Sequence, residues 1–206
     1  MTETATRDAY DAVAALYADT FRHALDDMPL DRALLTAFAD LVRGRGPVAD
    51  LGCGPGRLTA FLHSAGLDAS GIDLSPAMIA QARAEHPHLR FAEGTMTALD
   101  LPDGGLAGAL AYYSIIHMDP ADLPRAFAEF HRVLAPGGHL LVAFLASDGP
   151  EPEPYDHKVI GAHSWPIDHI AGLSGRTGLT EVARLLRRPD ENERLPGGYL
   201  LLRKGG

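Results

Sequence analysis

Cysteine is nearly absent: Cys53 is the single one in 206 residues. That count excludes an intramolecular disulfide and a zinc site assembled from several thiolates. Basic runs are missing as well. Eighteen Lys and Arg stand against 27 Asp and Glu, a net charge of -9, so neither a nucleic-acid backbone nor an anionic membrane is an expected partner. No apolar stretch reaches the ~20 residues a membrane span requires; the longest, Leu140 to Ala146, is the size of a strand. The opening MTETATRDAYDAVA has no basic segment leading into an apolar one, so no secretory signal is expected there and a cytoplasmic location is the default. Internal repeats and low-complexity tracts are also lacking.

What the chain does have is alternation. Between Ala9 and Arg43 apolar residues recur every three or four positions (Val13, Leu16, Tyr17, Phe21, Leu25, then Leu34, Leu35, Phe38, Leu41, Val42), the spacing of two helices split at Met28-Pro29. Short apolar runs then alternate with helical patterns. Strands are expected at Val48–Leu51, Ala69–Leu74, Leu89–Ala92, Leu106–Ile116 and His139–Ala146. Helices are expected at Arg57–Ser64, after the Ser75-Pro76 cap, and at Pro120–Leu134 ahead of Pro136-Gly137-Gly138. Residues 147–154 read as a loop, His163–Thr177 as a helix and turn, and Leu179–Arg187 with Tyr199–Leu202 as a closing strand pair. This order predicts one α/β domain. Its doubly wound, mostly parallel sheet has about seven strands, the last antiparallel, with helices on both faces and an N-terminal helical lid. Residues 1–46 would be the lid, 47–146 a ligand-binding core, 147–178 an insertion with a helix, and 179–206 the closing pair.

The densest signal is VADLGCGPGRL, where Gly52, Gly54 and Gly56 follow Asp50 at alternate positions between the first strand and the first core helix. A loop there lies at the carboxyl ends of the strands, where open parallel sheets bind ligands. Glycines allow positive φ and close approach of a ligand to the main chain. The spacing is not the G-x-G-x-x-G of a dinucleotide site, since Arg57 takes the place of its third glycine, and no G-x-x-x-x-G-K-[ST] loop occurs. Asp73, closing the second strand, is a candidate acceptor for both ribose hydroxyls of a nucleoside.

Taken with GIDLSPAMIAQAR, FAEGTMTALDLP and HRVLAPGGHLLVAF, the glycine segment resembles the class I S-adenosylmethionine-dependent methyltransferases of the small single-domain type, over roughly residues 48–144. The resemblance implies S-adenosyl-L-methionine as cofactor and S-adenosyl-L-homocysteine as product. It puts Gly52 and Gly54 against the methionine portion, with Asp50 and Cys53 in the same loop, Cys53 as a small packing residue. It puts Asp73 on the ribose, Leu74 and Met78 on the adenine, and Ala111 and Tyr112 beside the sulfonium and amino-acid tail. Where the family usually has an acidic residue facing the adenine amino group, this chain has Thr95, a weaker acceptor, with Met96 beside it for apolar packing. Tyr10 and Tyr17, seven positions apart on one helical face, resemble the lid tyrosines of related enzymes, Tyr17 toward the cofactor and Tyr10 toward the acceptor. Arg22 is a further candidate for the cofactor carboxylate, or a surface arginine.

Methyl transfer asks the protein mainly to align an acceptor and, for some acceptors, to take a proton. His117, just past the fourth strand, is the candidate base, with Tyr113 as the alternative; either is equally a loop-orienting residue. His163 and Trp165, with Tyr155, His157 and His169, are candidates for the acceptor wall. The three histidines stand six apart, on no common helical face, so no metal is expected. The reading is a methyltransferase acting on a small molecule, monomeric or homodimeric. Two alternatives stay open: a nicotinamide-dependent oxidoreductase on the same fold, and a non-catalytic cofactor-binding protein or scaffold.

Overall fold

A computed structural model describes residues 2–191 and 193–206. Seven strands make the main sheet in the order β3-β2-β1-β4-β5-β9-β8. They are β1 (Val48–Leu51), β2 (Ala69–Asp73), β3 (Arg90–Glu93), β4 (Leu106–Tyr112), β5 (Leu134–Ser147), β8 (Leu179–Arg187) and β9 (Gly197–Lys204). The first five are mutually parallel, and β9 runs antiparallel to both neighbours. A small hairpin, β6 (Glu153–Tyr155) with β7 (Ala162–Pro166), attaches where Ala146 and Ser147 of β5 meet Trp165 and Pro166.

Alternate residues of the central strands feed opposite cores, as the pleat demands. Leu140, Val142 and Phe144 join Leu200 and Leu202 on one face, against α5 (Leu123–Val133) and α6 (Ile167–Arg176). Leu141 and Leu201 face the other way, onto α2 (Pro29–Val42) and α3 (Arg57–Ser64) through Leu35, Phe38, Val42, Leu58 and Leu62. On α5, Leu123, Phe127 and Phe130 form a single buried stripe. Full burial of one such side chain stabilises by about 1.5–3 kcal/mol. The fourth helix, α4 (Pro76–Glu85), starts where the Ser75 hydroxyl accepts from the Met78 amide at 3.1 Å with Pro76 in the first turn. It buries Ile79 and Ala82 against Cys53 and Phe91.

Several boundaries differ from the sequence reading. Helix α1 (Glu3–Phe21) begins six residues before the expected Ala9, because Thr2 caps it by accepting from the Ala5 amide. Strand β4 stops at Tyr112, since Tyr113 turns left-handed with φ 53° and a 3-10 turn follows at Ile115–His117. The expected helix over 163–177 is a strand up to Pro166 and a helix only from Ile167, and the expected loop 147–154 already enters β6. Trp165 decides this: as a strand residue it points into the core and is fully buried. Within the expected lid, α1 alone leans over α4 and the strand ends; α2 packs on the sheet.

Candidate active site

The carboxyl ends of β1, β2 and β4 open into a cleft roofed by α1. Its floor is the loop from Gly52 to Gly56, tied to β2 by the Gly52 and Cys53 amides, which donate to the Ile72 carbonyl at 2.7 and 3.1 Å. All three glycines have positive φ, but for different neighbours. A Cβ on Gly52 would run into Ser114, and one on Gly56 would come within 2.7 Å of the Phe91 ring. A Cβ on Gly54 meets only Tyr17 Cε1, at 4.0 Å. Packing therefore already requires Gly52 and Gly56 to lack side chains, whereas Gly54 turns a bare backbone toward open cleft.

Asp73 fixes that backbone. Its Oδ2 accepts from the Gly54 amide and its Oδ1 from the Ser75 amide, both at 2.8 Å. Burial raises its pKa, opposed by those amides. Each carboxylate oxygen has a second acceptor site, and Asp73 lines the cleft beside Leu74 and Met78. Helix α1 closes over this floor at three points. Asp11 accepts from the Ser75 hydroxyl at 2.5 Å and the Ala77 amide at 3.1 Å. Glu3 accepts from the Thr97 hydroxyl at 2.8 Å and from Thr95. The Tyr10 hydroxyl meets His117 Nε2 at 2.7 Å.

The last contact has a defined polarity. His117 Nδ1 lies 3.1 Å from the Gly161 carbonyl, which only accepts, so Nδ1 carries the proton. Nε2 is then the bare nitrogen, and Tyr10 donates to it. Burial drives the His117 pKa down to about 4, against the raising effect of the Gly161 bond. The imidazole is thus neutral at physiological pH. Burial likewise raises the pKa of Tyr10. Tyr113 and Ser114 line the same end of the cleft.

Residues 48–138 match the family model described as a methyltransferase domain. The malonyl-[acyl-carrier protein] O-methyltransferase of Erwinia billingiae is 32% identical over 157 residues, covering 74% of this chain and 61% of that one. A demethylmenaquinone methyltransferase of Chlorobaculum tepidum is 33% identical over 139 residues, covering 64% and 56%. Residues 48–138 thus form a methyltransferase domain, similar to the class I S-adenosylmethionine-dependent methyltransferases. The chain spans less than two thirds of the length of these curated relatives. The fold is shared with the 1,6-didemethyltoxoflavin-N1-methyltransferase of Burkholderia thailandensis, solved with S-adenosylhomocysteine (TM-score 0.68, 23% identity, 97% of this chain and 91% of that one). It is also shared with an S-adenosylmethionine-dependent methyltransferase of Mesorhizobium loti (TM-score 0.71, 20% identity, 86% and 99%).

Of the residues the sequence marks out, Tyr10, Tyr17, Gly52, Gly54, Asp73, Leu74, Met78, Thr95, Met96, Tyr112, Tyr113 and His117 line the cleft together. Five others do not. Asp50 lies beneath the loop, 1% exposed, accepting from the Thr59 hydroxyl at 2.7 Å. Burial pushes its pKa up to about 7, opposed by the Thr59 bond and the Arg57 charge. Cys53 is buried behind the loop, where a side chain on Gly71 would strike its sulfur. Ala111 is sealed in the sheet. Trp165 is a core anchor packed between the tilted rings of His163 and His169, and His163 does not line the cleft. His157, by contrast, packs its ring 4.9 Å from that of His117. Arg22 is an exposed arginine paired with Asp19 and Glu85. No group of three side chains suited to a metal occurs among the described residues.

Sequence reasoning missed Glu3, Thr6, Arg7, Ser114, Met118, Asp119 and Asp122, all of which line the cleft. The cap at Thr2 was the available signal for the first three, since it brings them onto α1. Nothing in the sequence foretells Ser114. Tyr112 also reaches away from the cleft to buried Asp31 of α2, which accepts from Tyr199 at 2.5 Å and lies 3.5 Å from Arg187.

Proposed function

We propose that the protein transfers a methyl group from S-adenosylmethionine to a small-molecule acceptor bound between α1 and the Ser114–His117 turn. One observation carries the reading: the Asp73–Gly54 floor and the Tyr10–His117 pair line one cleft under one helix. The donor set fits the cofactor. Asp73 keeps acceptor capacity for ribose hydroxyls, Leu74 and Met78 offer apolar walls to a purine, and the place a Gly54 side chain would fill is open. Thr95 departs from the family's acidic residue, but Glu3 brings a carboxylate to the same hydroxyl.

S-adenosylmethionine supplies an electrophilic methyl group on a sulfonium. The chain's share is to bind, orient and keep water out. Helix α1, clamped by Asp11, Glu3 and Tyr10, roofs the cleft and would shield a bound cofactor from solvent. His117 holds its proton at Nδ1 and presents Nε2 through the Tyr10 hydroxyl. A proton leaving an acceptor passes to the Tyr10 oxygen as the Tyr10 proton moves to Nε2. An imidazole with a pKa near 4 is a weak base, which suits an acceptor that is already anionic or becomes acidic only as the methyl arrives. The net charge of -9 supports a free small molecule over a polyanionic substrate. The test is calorimetric binding of S-adenosylhomocysteine and of NAD, followed by a panel of carboxylate, phenol and amine acceptors monitored for S-adenosylhomocysteine release. Binding of the homocysteine compound and turnover with one class are expected. Preference for NAD would overturn the reading in favour of an oxidoreductase, and binding without turnover across the panel would favour a scaffold.

A further inference from the structure

Among the described residues, Tyr113 is the one residue other than glycine with a positive φ, 53°. A left-handed backbone costs a residue with a side chain about 1–2 kcal/mol, and such strain persists only where the surroundings over-determine it. Here it ends β4 and re-aims the chain into the turn that carries Ser114 and His117. The Tyr113 amide donates to the Ala143 carbonyl of β5 at 2.8 Å, and its hydroxyl meets that of Tyr199 on β9 at 2.9 Å. Strand β9 leaves room for this pair: a Cβ on Gly197 would come within 2.6 Å of the Tyr113 oxygen and 2.8 Å of the Tyr199 oxygen. Tyr199 donates to Asp31 Oδ1 at 2.5 Å, and Tyr112 donates to the same oxygen. Since the Tyr199 proton is committed to Asp31, it is Tyr113 that donates to Tyr199. Arg187 completes the cluster. Its Nε donates to the Tyr199 oxygen at 3.2 Å, and Nη1 and Nη2 each bond Glu193 at 2.6 Å.

We propose that Asp31 and Tyr199 are positioning residues for the acceptor side of the cleft: as one hydrogen-bonded clamp they hold Tyr113 in its left-handed conformation and so set where Ser114 and His117 stand. The inference rests on the reading of this cleft as the methyl-transfer site. Asp31 and Tyr199 are each 1% exposed and do not line the cleft, whereas Tyr112 and Tyr113 do. Burying a carboxylate costs several kcal/mol, and apolar residues of similar volume often serve stability as well or better. Fixed geometry is what the cluster adds. The rings of Tyr112 and Tyr113 pack edge-on with centroids 5.0 Å apart, so the two phenols tied to the cluster also restrain each other. His117 requires a fixed turn, because its ring nitrogens are bonded to groups from two other segments, the Tyr10 hydroxyl of α1 and the Gly161 carbonyl. A shift of the turn by about 1 Å stretches one of those bonds, and a misplacement on that scale costs about 100-fold in rate.

The experiment uses Tyr199→Phe, which deletes the hydroxyl joining Tyr113 to Asp31 and changes no residue of the cleft. Nitrogen-15 NMR of the His117 imidazole, assigned by its loss in His117→Gln, reports which ring nitrogen carries the proton. The wild-type chain should show a neutral ring protonated at Nδ1, and Tyr199→Phe should move the signals toward the average of the two tautomers. With S-adenosylmethionine and the carboxylate, phenol or amine that turns over, kcat should fall about tenfold or more, while affinity for S-adenosylhomocysteine stays within about twofold. Asp31→Asn, which keeps an oxygen for both phenols, should stay closer to wild type than Asp31→Ala in both readouts. A folded Tyr199→Phe chain that keeps either the wild-type His117 signals or the wild-type kcat would overturn the proposal, leaving the cluster a support of the sheet. Loss of S-adenosylhomocysteine affinity in step with kcat would overturn it as well, since the cluster would then act on the whole cleft. If Tyr199→Phe does not fold, Tyr113→Phe cuts the same bond from the other side and carries both measurements. If the wild-type chain neither binds S-adenosylhomocysteine nor turns over an acceptor, it is the methyltransferase reading that fails, and the His117 signals alone decide the clamp.

Discussion

Replacing Asp73 by alanine removes a carboxylate with two duties. In the free protein it holds the Gly54 and Ser75 amides, each at 2.8 Å. In the proposed complex its remaining acceptor sites take the ribose hydroxyls. Hydrogen bonds to a charged partner contribute about 1.5–3 kcal/mol each. The two amides lie at the floor of an open cleft, where water replaces the lost oxygens, so the fold should lose only about 1–2 kcal/mol. For a chain of this length that lowers the melting temperature by about 2–8 °C. The ribose bonds are lost under a bound nucleoside that leaves water little room. Affinity for S-adenosylhomocysteine should therefore fall at least about tenfold, or 1.4 kcal/mol, and by as much as about 100-fold. Asp73→Asn keeps one oxygen but turns an NH₂ group toward one of the two amides, so it should recover little. Isothermal calorimetry measures the affinity, and circular dichroism confirms that each variant is folded. A folded Asp73→Ala chain that binds within twofold of wild type would remove Asp73 from the ribose and with it the orientation of the cofactor.

Other expectations follow from the same geometry. Gly54→Ala puts a methyl group into the cleft at φ 52° and should abolish cofactor binding at a stability cost of about 1–2 kcal/mol. Gly52→Ala should instead unfold the chain by striking Ser114, and Ser114→Gly in the same chain should restore part of the lost melting temperature. Because the folded pKa of His117 is lowered to about 4, its proton-accepting form persists down to that pH. The acidic limb of kcat/KM, measured with an acceptor from the panel, should break near pH 4 to 5, and a break at 6.5 would show an exposed imidazole. Tyr10→Phe should lower kcat while leaving S-adenosylhomocysteine affinity within about threefold; unchanged turnover would exclude the relay. Asp50 has the opposite sign. Its folded pKa of about 7 exceeds the unfolded value near 3.8, so ionisation destabilises the fold increasingly as pH rises from 4 to 8. Asp50→Asn should gain stability over wild type across that range, with an upper limit of about 4 kcal/mol at 1.36 kcal/mol per pKa unit. Urea titrations at pH 5 and 8 would show the gap widening, and a constant gap would contradict the burial argument.

The sequence by itself determined the frame of this protein. The period of its apolar residues, the Ser75-Pro76 cap and the strand–glycine loop–helix unit are local patterns, set by contacts three or four residues apart, and each is found near its expected place. Locality also explains the errors. Trp165 lies in a segment whose composition suits a helix start equally well, and only its burial in the core makes that segment a strand. The glycine loop was legible as a loop, but not its division of labour. That Ser114 and Phe91 claim two of the three glycines, leaving Gly54 to the cleft, depends on which strands lie side by side. The functional contacts are the least local of all. Tyr10 meets His117 across 107 positions and Glu3 meets Thr97 across 94. Asp50 and Arg57 belong to one short motif, yet the burial that raises the pKa of the first and leaves the second without a partner comes from the surrounding fold. Hydrogen-bond partners and desolvation are properties of the packed chain, and no spacing in the sequence encodes them.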